Sequence, residues 1–182
     1  MSGSRAIQVL RRFDAAELSL CLYFNRACGR PAVKDFFGAI SRLGDGATWY
    51  ALIFALPFIY PWAGPMPSVR MAMTGIVGVL IYKALKHTLV RERPFIASAA
   101  ISLGTAPLDR YSFPSGHTLH AVSFTTMTVS QFPEFAILLV PFAALIAASR
   151  VVLGLHYPSD VAAGALLGFG LARLSLAIEL PV

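Results

Sequence analysis

Charged residues are missing from long intervals of this sequence. No Asp, Glu, Lys or Arg occurs in Gly46–Val69, Tyr111–Pro133 or Phe135–Ser149. Such intervals suit helices immersed in lipid, where no water is at hand and each backbone N–H and C=O must be satisfied within the helix. The pattern predicts five membrane spans: Thr48–Trp62, Val69–Leu89, His117–Phe132, Phe135–Val152 and Asp160–Ile178. The first is short and contains Pro57, while Tyr60, Trp62 and the Pro61–Pro67 stretch mark an interface and a turn. Two amphipathic pieces precede the spans. Ala15–Asn25 is apolar on balance but too short to cross, is interrupted by Glu17, and reads as an interfacial helix broken at Gly29-Arg30-Pro31. Ala32–Leu43 places Val33, Phe36, Phe37, Ile40 and Leu43 at helical spacing, and Gly44-Asp45-Gly46 ends it. The expected fold class is therefore all-α: a polytopic transmembrane helix bundle over 47–182 behind an amphipathic segment over 1–46, in one domain, with a sixth span left open. Gly164 with Gly168, and Gly75 with Gly78, read as helix-packing surfaces.

Composition narrows the class. Of the 182 residues, 57% are hydrophobic and 13% charged, about half the usual charge density of a soluble domain, which excludes disorder, collagen and coiled coil. No basic run with interleaved aromatics accompanies the net charge of +6, so anionic lipid is the expected counterpart and nucleic acid is not. Cys21 and Cys28 lie seven apart with no CxxC or neighbouring His and read as structural or incidental. Ser2–Arg12 leads into a segment holding Asp14 and Glu17, which is not the pattern of a cleavable signal peptide.

The polar residues that remain in the apolar part form three clusters at predicted helix ends: Lys86 with Arg93-Pro94; Pro114-Ser115-Gly116-His117; and Ser149-Arg150 with His156 and Asp160. Successive spans alternate in direction. The second ends at Lys86, the third begins at His117, the fourth ends at Arg150 and the fifth begins at Asp160, so all four ends fall on one membrane face. One interfacial cation is ordinarily a snorkelling side chain, and Pro-Ser-Gly alone is an ordinary turn and cap. Convergence of three cations, two histidines and a carboxylate on one face is what makes a site. A phosphate-sized anion suits it: Arg93 and Arg150 supply planar forks, Lys86 a point charge, and Ser115-Gly116 a hydroxyl and free N–H groups at a helix start. The histidines add a nucleophile or general acid, and Asp160, four residues after His156, is placed to accept a hydrogen bond from that imidazole.

Lys86-x6-Arg93-Pro94, Pro114-Ser115-Gly116-His117 and Ser149-Arg150-x5-His156-x3-Asp160 resemble the three-part signature of the type 2 phosphatidic acid phosphatase (PAP2) superfamily, with no departure at any signature position. The resemblance implies a metal-independent phosphatase, without cofactor, that forms a phosphohistidine. It assigns His156 as nucleophile, Asp160 as its orienting partner, His117 as the acid for the leaving oxygen, and Lys86, Arg93, Ser115, Gly116 and Arg150 as holders of the phosphoryl oxygens. Outside the signature, His120 is expected to pack in the core and His87 to sit at the interface. Arg91, Asp109 and Arg110 are expected in a solvated loop at the mouth of the site. No His, Glu or Asp spacing makes a metal site.

The expected substrate is a lipid phosphate reached from the bilayer: phosphatidate, phosphatidylglycerophosphate, a polyprenyl diphosphate or lipid A. The alternatives are a vanadate-dependent haloperoxidase, and a lipid-phosphate binding or transport protein that uses the cations without the histidines. The motif face carries five Lys and Arg residues (Lys86, Arg91, Arg93, Arg110, Arg150) against Arg70 and Arg173 opposite, which by itself favours the cytoplasm. Three of the five are phosphate ligands in this reading, and discounting them leaves no bias. The tendency of bacterial members of the family then places the site on the periplasmic face of the inner membrane. Oligomeric state is not legible.

Overall fold

The computed structural model describes residues 2–178, with side chains from Asp14 onward. Residues 179–182, the end of the expected bundle, lie outside that range. Every regular element among the described residues is helical: α1 (Ser2–Asn25), α2 (Pro31–Leu43), α3 (Ala47–Ile59), α4 (Pro65–Leu89), α5 (Pro94–Ala97), α6 (Gly116–Gln131), α7 (Ala136–Val152) and α8 (Pro158–Ala177), with short 3-10 turns at Arg26–Gly29 and Pro133–Phe135.

All five predicted spans appear as helices, but among the described residues only three stretches combine the length and apolarity of a crossing: Pro65–Ala97, Pro133–Val152 and Pro158–Ala177. The expected count of five is corrected on that ground. Helices α3 and α6 stop at 13 and 16 residues, short of the roughly 20 a hydrocarbon core demands. Both stop for the same reason. Tyr60 and Phe132, which follow them, each precede a proline and adopt nearly the same non-helical backbone, φ −127°, ψ 79° and φ −133°, ψ 79°, because a following proline ring clashes with the α conformation.

The N-terminal reading also changes. Helix α1 has 24 residues, not about a dozen, and it docks on the bundle where an interfacial helix was expected. Glu17, Cys21 and Asn25, spaced at i, i+4, i+8 on one face, are all buried. Asn25 donates to the carbonyls of Ser102 and Val152, both at 2.9 Å, and accepts from the Ser102 N–H at 2.8 Å.

Helix α8 lies directly against α6. A Cβ at Gly164 would stand 2.5 Å from the Ser115 carbonyl oxygen, and one at Gly168 2.2 Å from that of Leu119, so only glycine permits this approach. The contact sets the ends of both helices in register: the Ser115 N–H donates to the Asp160 carbonyl at 3.0 Å. The inner core gathers Trp49, Leu56, Met71, Phe124 and Ile146, with Trp49 packed against Phe124 and Phe142 at centroid distances of 5.6 and 5.9 Å. Phe54, Phe58, Ile137 and Leu166 face outward, each more than two-thirds exposed, as a lipid-facing surface requires.

Candidate active site

A cavity of about 430 Å³ opens among α3, α4 and α6. Lys86, Arg93, Asp109, His117, Arg150 and His156 line its polar end, and Trp49, Ile53, Ile76, Val79 and Phe124 line the apolar remainder. The three motif clusters thus meet at one end of the bundle, as their helix ends predict.

Local structure aims each group. Arg93 has the extended backbone favoured before proline, φ −78°, ψ 153°. After α7 the chain reverses at Gly154, whose φ of +72° and a notional Cβ 2.6 Å from Ile101 both require glycine. The Arg150 carbonyl accepts the N–H groups of both Leu155 and His156 at 3.0 Å, which folds the nucleophile candidate back over Arg150. Pro158 then opens α8, and the Asp160 carboxylate accepts the Tyr157 N–H at 2.8 Å.

His156 is 1% exposed. Arg93 Nη1 lies 3.2 Å from its Nε2, and a guanidinium only donates, so Nε2 carries the lone pair and Nδ1 the hydrogen. Burial, reinforced by the positive charges of Arg150, Arg93 and Lys86, holds this imidazole well below the ordinary histidine range. It is a neutral base with Nε2 turned toward the cations. Nδ1 faces Asp160 Oδ2 at 3.6 Å and has no hydrogen-bond partner. The expected bond to Asp160 therefore has the right direction without being closed.

The cations are already engaged. Lys86 Nζ donates to both Asp109 oxygens at 2.8 Å and to the Tyr111 carbonyl at 3.0 Å. Arg93 donates through Nη2 to Asp109 Oδ1 at 2.7 Å and through Nη1 to the Leu155 carbonyl at 2.8 Å. Arg150 is buried, donates to Ser41 Oγ, and keeps Nε without a partner. Burial would raise the Asp109 carboxyl, but hydrogen bonds and charge from Lys86 and Arg93 outweigh it and hold Asp109 below the usual carboxylate range.

Ser115 differs from its expected role. It is fully buried, caps α6 through a 3.5 Å bond from the Thr118 N–H, and shares a 2.9 Å hydroxyl contact with Thr118; Gly116, not Ser115, lines the cavity. His117 lines it too, with Nε2 3.3 Å from Asp45 Oδ1. Burial lifts the Asp45 carboxyl above its ordinary range, partly offset by Arg150. His120, expected to pack in the core, is half-buried and lines the cavity instead, its ring nitrogens 3.1 and 3.2 Å from the Gly116 and Gly75 carbonyls and its ring stacked on Phe124.

Four charged residues outside the motifs join the site. Asp109 and Arg91, expected in a solvated loop, contact Lys86, Arg93 and Asp160 directly. Asp45, read only as part of a turn, meets His117. Glu17, read as an interruption in an amphipathic helix, binds Arg91 and Ser159. The one signal available for Glu17 was a lone carboxylate in an otherwise apolar stretch.

A model described as the PAP2 superfamily matches residues 68–180, a range that holds all three clusters. The chain is 36% identical over 146 residues to the decaprenylphosphoryl-5-phosphoribose phosphatase of Mycolicibacterium smegmatis, covering 75% of this chain and 73% of that protein. It is 32% identical over 142 residues to the undecaprenyl-diphosphatase of Sulfolobus acidocaldarius, covering 77% and 68% respectively. Among solved structures, the crystal structure of Aquifex aeolicus LpxE matches with a TM-score of 0.77 at 28% identity over 88% of this chain and 94% of that one.

Proposed function

We propose, on the premise that this chain belongs to the PAP2 superfamily and is a membrane lipid phosphatase of that type, that it takes a polyprenyl phosphate or diphosphate and cleaves it through a phosphohistidine on His156. The observation that carries this reading is a neutral, lone-pair-bearing His156 Nε2 among three cations, at the polar end of a cavity that continues into an apolar trench. The trench is suited to a lipid tail while the head meets Lys86, Arg93 and Arg150. The names of the two relatives, both acting on polyprenyl-linked phosphates, support that choice of tail.

In this mechanism the phosphoryl group displaces the Asp109 carboxylate from Lys86 and Arg93. Those two cations, Arg150 and the Gly116 N–H hold its oxygens and stabilise the charge spread over them, and Ser115 fixes the helix start that presents Gly116. The Nε2 lone pair forms the N–P bond, the P–O bond to the leaving oxygen breaks, and His117 gives that oxygen its proton. Asp160 stabilises the Nδ1 hydrogen. His117 then takes a proton from water as water attacks phosphorus and the N–P bond breaks, releasing inorganic phosphate. The site faces the periplasm from a bacterial inner membrane in this proposal. A cysteine introduced at Thr105 tests that: an impermeant thiol reagent labels it in intact cells if the placement is right, and only after lysis if it is wrong.

The substrate test is a head-to-head turnover comparison in detergent, with EDTA present, across undecaprenyl diphosphate, phosphatidate, phosphatidylglycerophosphate and lipid A. The expected result is the highest kcat/KM on the polyprenyl substrate. A higher value on a two-chain or lipid A substrate overturns that choice.

A further inference from the structure

Arg91 lies two residues before the signature arginine, and its guanidinium is sandwiched between two carboxylates. Nη1 donates to Asp160 Oδ1 at 2.7 Å and to Ser159 Oγ at 2.7 Å, and Nη2 donates to Glu17 Oε2 at 2.6 Å. Its face lies 4.0 Å from the centroid of the Tyr157 ring. Glu17 reaches in from α1 with 5% of its side chain exposed. Glu17 Oε1 accepts the Ser159 N–H at 2.7 Å and Oε2 accepts the Ser159 hydroxyl at 2.9 Å. Glu17 therefore holds both Arg91 and the first turn of α8, the turn that carries Asp160.

The two Asp160 oxygens are divided by this arrangement. Oδ1 is taken by Arg91, and Oδ2 receives the Tyr157 N–H and faces His156 Nδ1. The carboxylate is fully buried, and a buried carboxylate stays ionised only when paired and hydrogen-bonded. Arg91 is the only cation in a salt bridge with it among the described residues apart from the neutral His156. Glu17 in turn fixes which way the Arg91 fork points, since a guanidinium between two carboxylates has little freedom to turn.

We infer that Glu17 and Arg91 are positioning residues for the nucleophile: they keep Asp160 ionised and aimed so that His156 stays in the Nδ1–H form with Nε2 free to attack phosphorus. The inference rests on the phosphohistidine reading above. It also gives α1 a part in the chemistry, since a residue far from the motifs in sequence completes the charge chain Glu17–Arg91–Asp160–His156. Arg91→Ala leaves Asp160 without its counter-charge. Arg91→Lys restores the charge without the fork, and Glu17→Gln keeps an acceptor for the Ser159 N–H while releasing Arg91.

Each variant is assayed for phosphate release from undecaprenyl diphosphate beside wild type and His156→Ala. In R91A and E17Q, kcat falls by about 10- to 100-fold, the range typical when a group that orients a reacting residue is lost, with KM little changed; R91K recovers part of the loss. The acidic limb of the kcat/KM profile moves to higher pH in R91A, because the carboxylate that orients the imidazole is then protonated more readily. Among the described side chains, the groups facing Asp160 are Arg91 from the loop after α4, Glu17 and Cys21 from α1, and His156 and Tyr157 from its own segment, with Asp14 3.9 Å from Arg91. Of these described groups, Arg91 alone carries a positive charge at neutral pH. Nitrogen-15 NMR of histidine-labelled protein, with the His156 signal identified by its absence from a His156→Asn spectrum, reads the tautomer without substrate. Wild type shows the Nδ1–H form, and R91A and E17Q show a tautomer mixture. Wild-type kcat, acidic limb and tautomer in E17Q and R91A, with H156A inactive, overturn the inference and leave the phosphatase reading intact. If wild type releases no phosphate from any lipid, the phosphatase reading fails and the tautomer comparison alone decides the positioning role. Should R91A not fold, E17Q, R91K and their spectra decide it.

Discussion

Substituting Gly168 by alanine adds one methyl group to the tightest point between α6 and α8. The new Cβ would stand 2.2 Å from the Leu119 carbonyl oxygen and 3.0 and 3.1 Å from that residue's carbonyl carbon and Cα. These are backbone atoms of a helix and have no rotamer by which to yield. Ordinary contact starts near 3.4 Å, so the helices must part by about 1 Å at this level. Overpacking of that kind costs roughly 1–3 kcal/mol, several degrees in Tm for a chain of this length. The larger consequence is for the site. The same helix pair holds the Ser115 N–H on the Asp160 carbonyl at 3.0 Å, and so sets Gly116 and His117 relative to the turn that carries His156. A misplacement of about 1 Å between reacting groups lowers rate by on the order of 100-fold. Gly170→Ala on the same helix is the control: its Cβ meets nothing within 4 Å, and alanine favours a helix by up to about 1 kcal/mol over glycine. Phosphate release and thermal melting in detergent read both effects. G168A with wild-type kcat and Tm, or G170A as damaged as G168A, refutes the reasoning.

Other substitutions and conditions separate the roles of the charged groups. Asp109→Asn frees Lys86 and Arg93 from a carboxylate held at 2.7–2.8 Å; vanadate, a phosphate mimic, then inhibits at a Ki on the order of 10-fold lower, allowing for Asp109's partial exposure, and an unchanged or higher Ki contradicts its role as an internal anion. Arg150→Lys keeps the charge but loses the planar fork of a buried residue lining the cavity, and kcat drops by roughly 100-fold; wild-type kcat in steady-state assays would show that a point charge suffices there. Folded His156 binds a proton far less readily than an unfolded histidine. The unfolded chain therefore takes up the extra proton as pH falls below about 6.5, and stability is lost at up to ~1.4 kcal/mol per pH unit from this group down to its folded value. Melting curves between pH 7 and 5 show the decline, and His156→Asn makes it shallower; an equal decline in both proteins rules out a contribution from His156.

The bundle and its chemistry were legible in the sequence to different depths. Scarcity of charge located the five long helices of the apolar part, three of them in charge-free intervals, and alternation of direction placed Lys86, His117, Arg150 and Asp160 at one end, where the structure has them. Span lengths were not legible from apolarity alone, because Pro61 and Pro133 end α3 and α6 through the backbone of the residue before each. The glycine spacing in α8 correctly signalled close helix packing. What the sequence hid was long-range pairing. Arg91, Asp109, Asp45 and Glu17 each look like surface charges in their local segments, and only the docking of α1, the turn between α2 and α3 and the return of the loop before α6 bring them to Asp160, Lys86, Arg93 and His117. Ser115 shows the reverse case, a motif residue whose hydroxyl caps α6 from beneath the cavity.

The central claim is that phosphorus becomes bonded to His156. Rapid quenching of enzyme mixed with undecaprenyl diphosphate carrying phosphorus-32 at the terminal phosphate tests it most directly, followed by peptide mapping of the labelled protein. The account predicts a transient label that is stable to alkali, labile to acid, confined to the peptide containing His156, and absent from His156→Ala, which also fails to turn over. Label on another residue, or turnover by H156A at the wild-type rate, would contradict it.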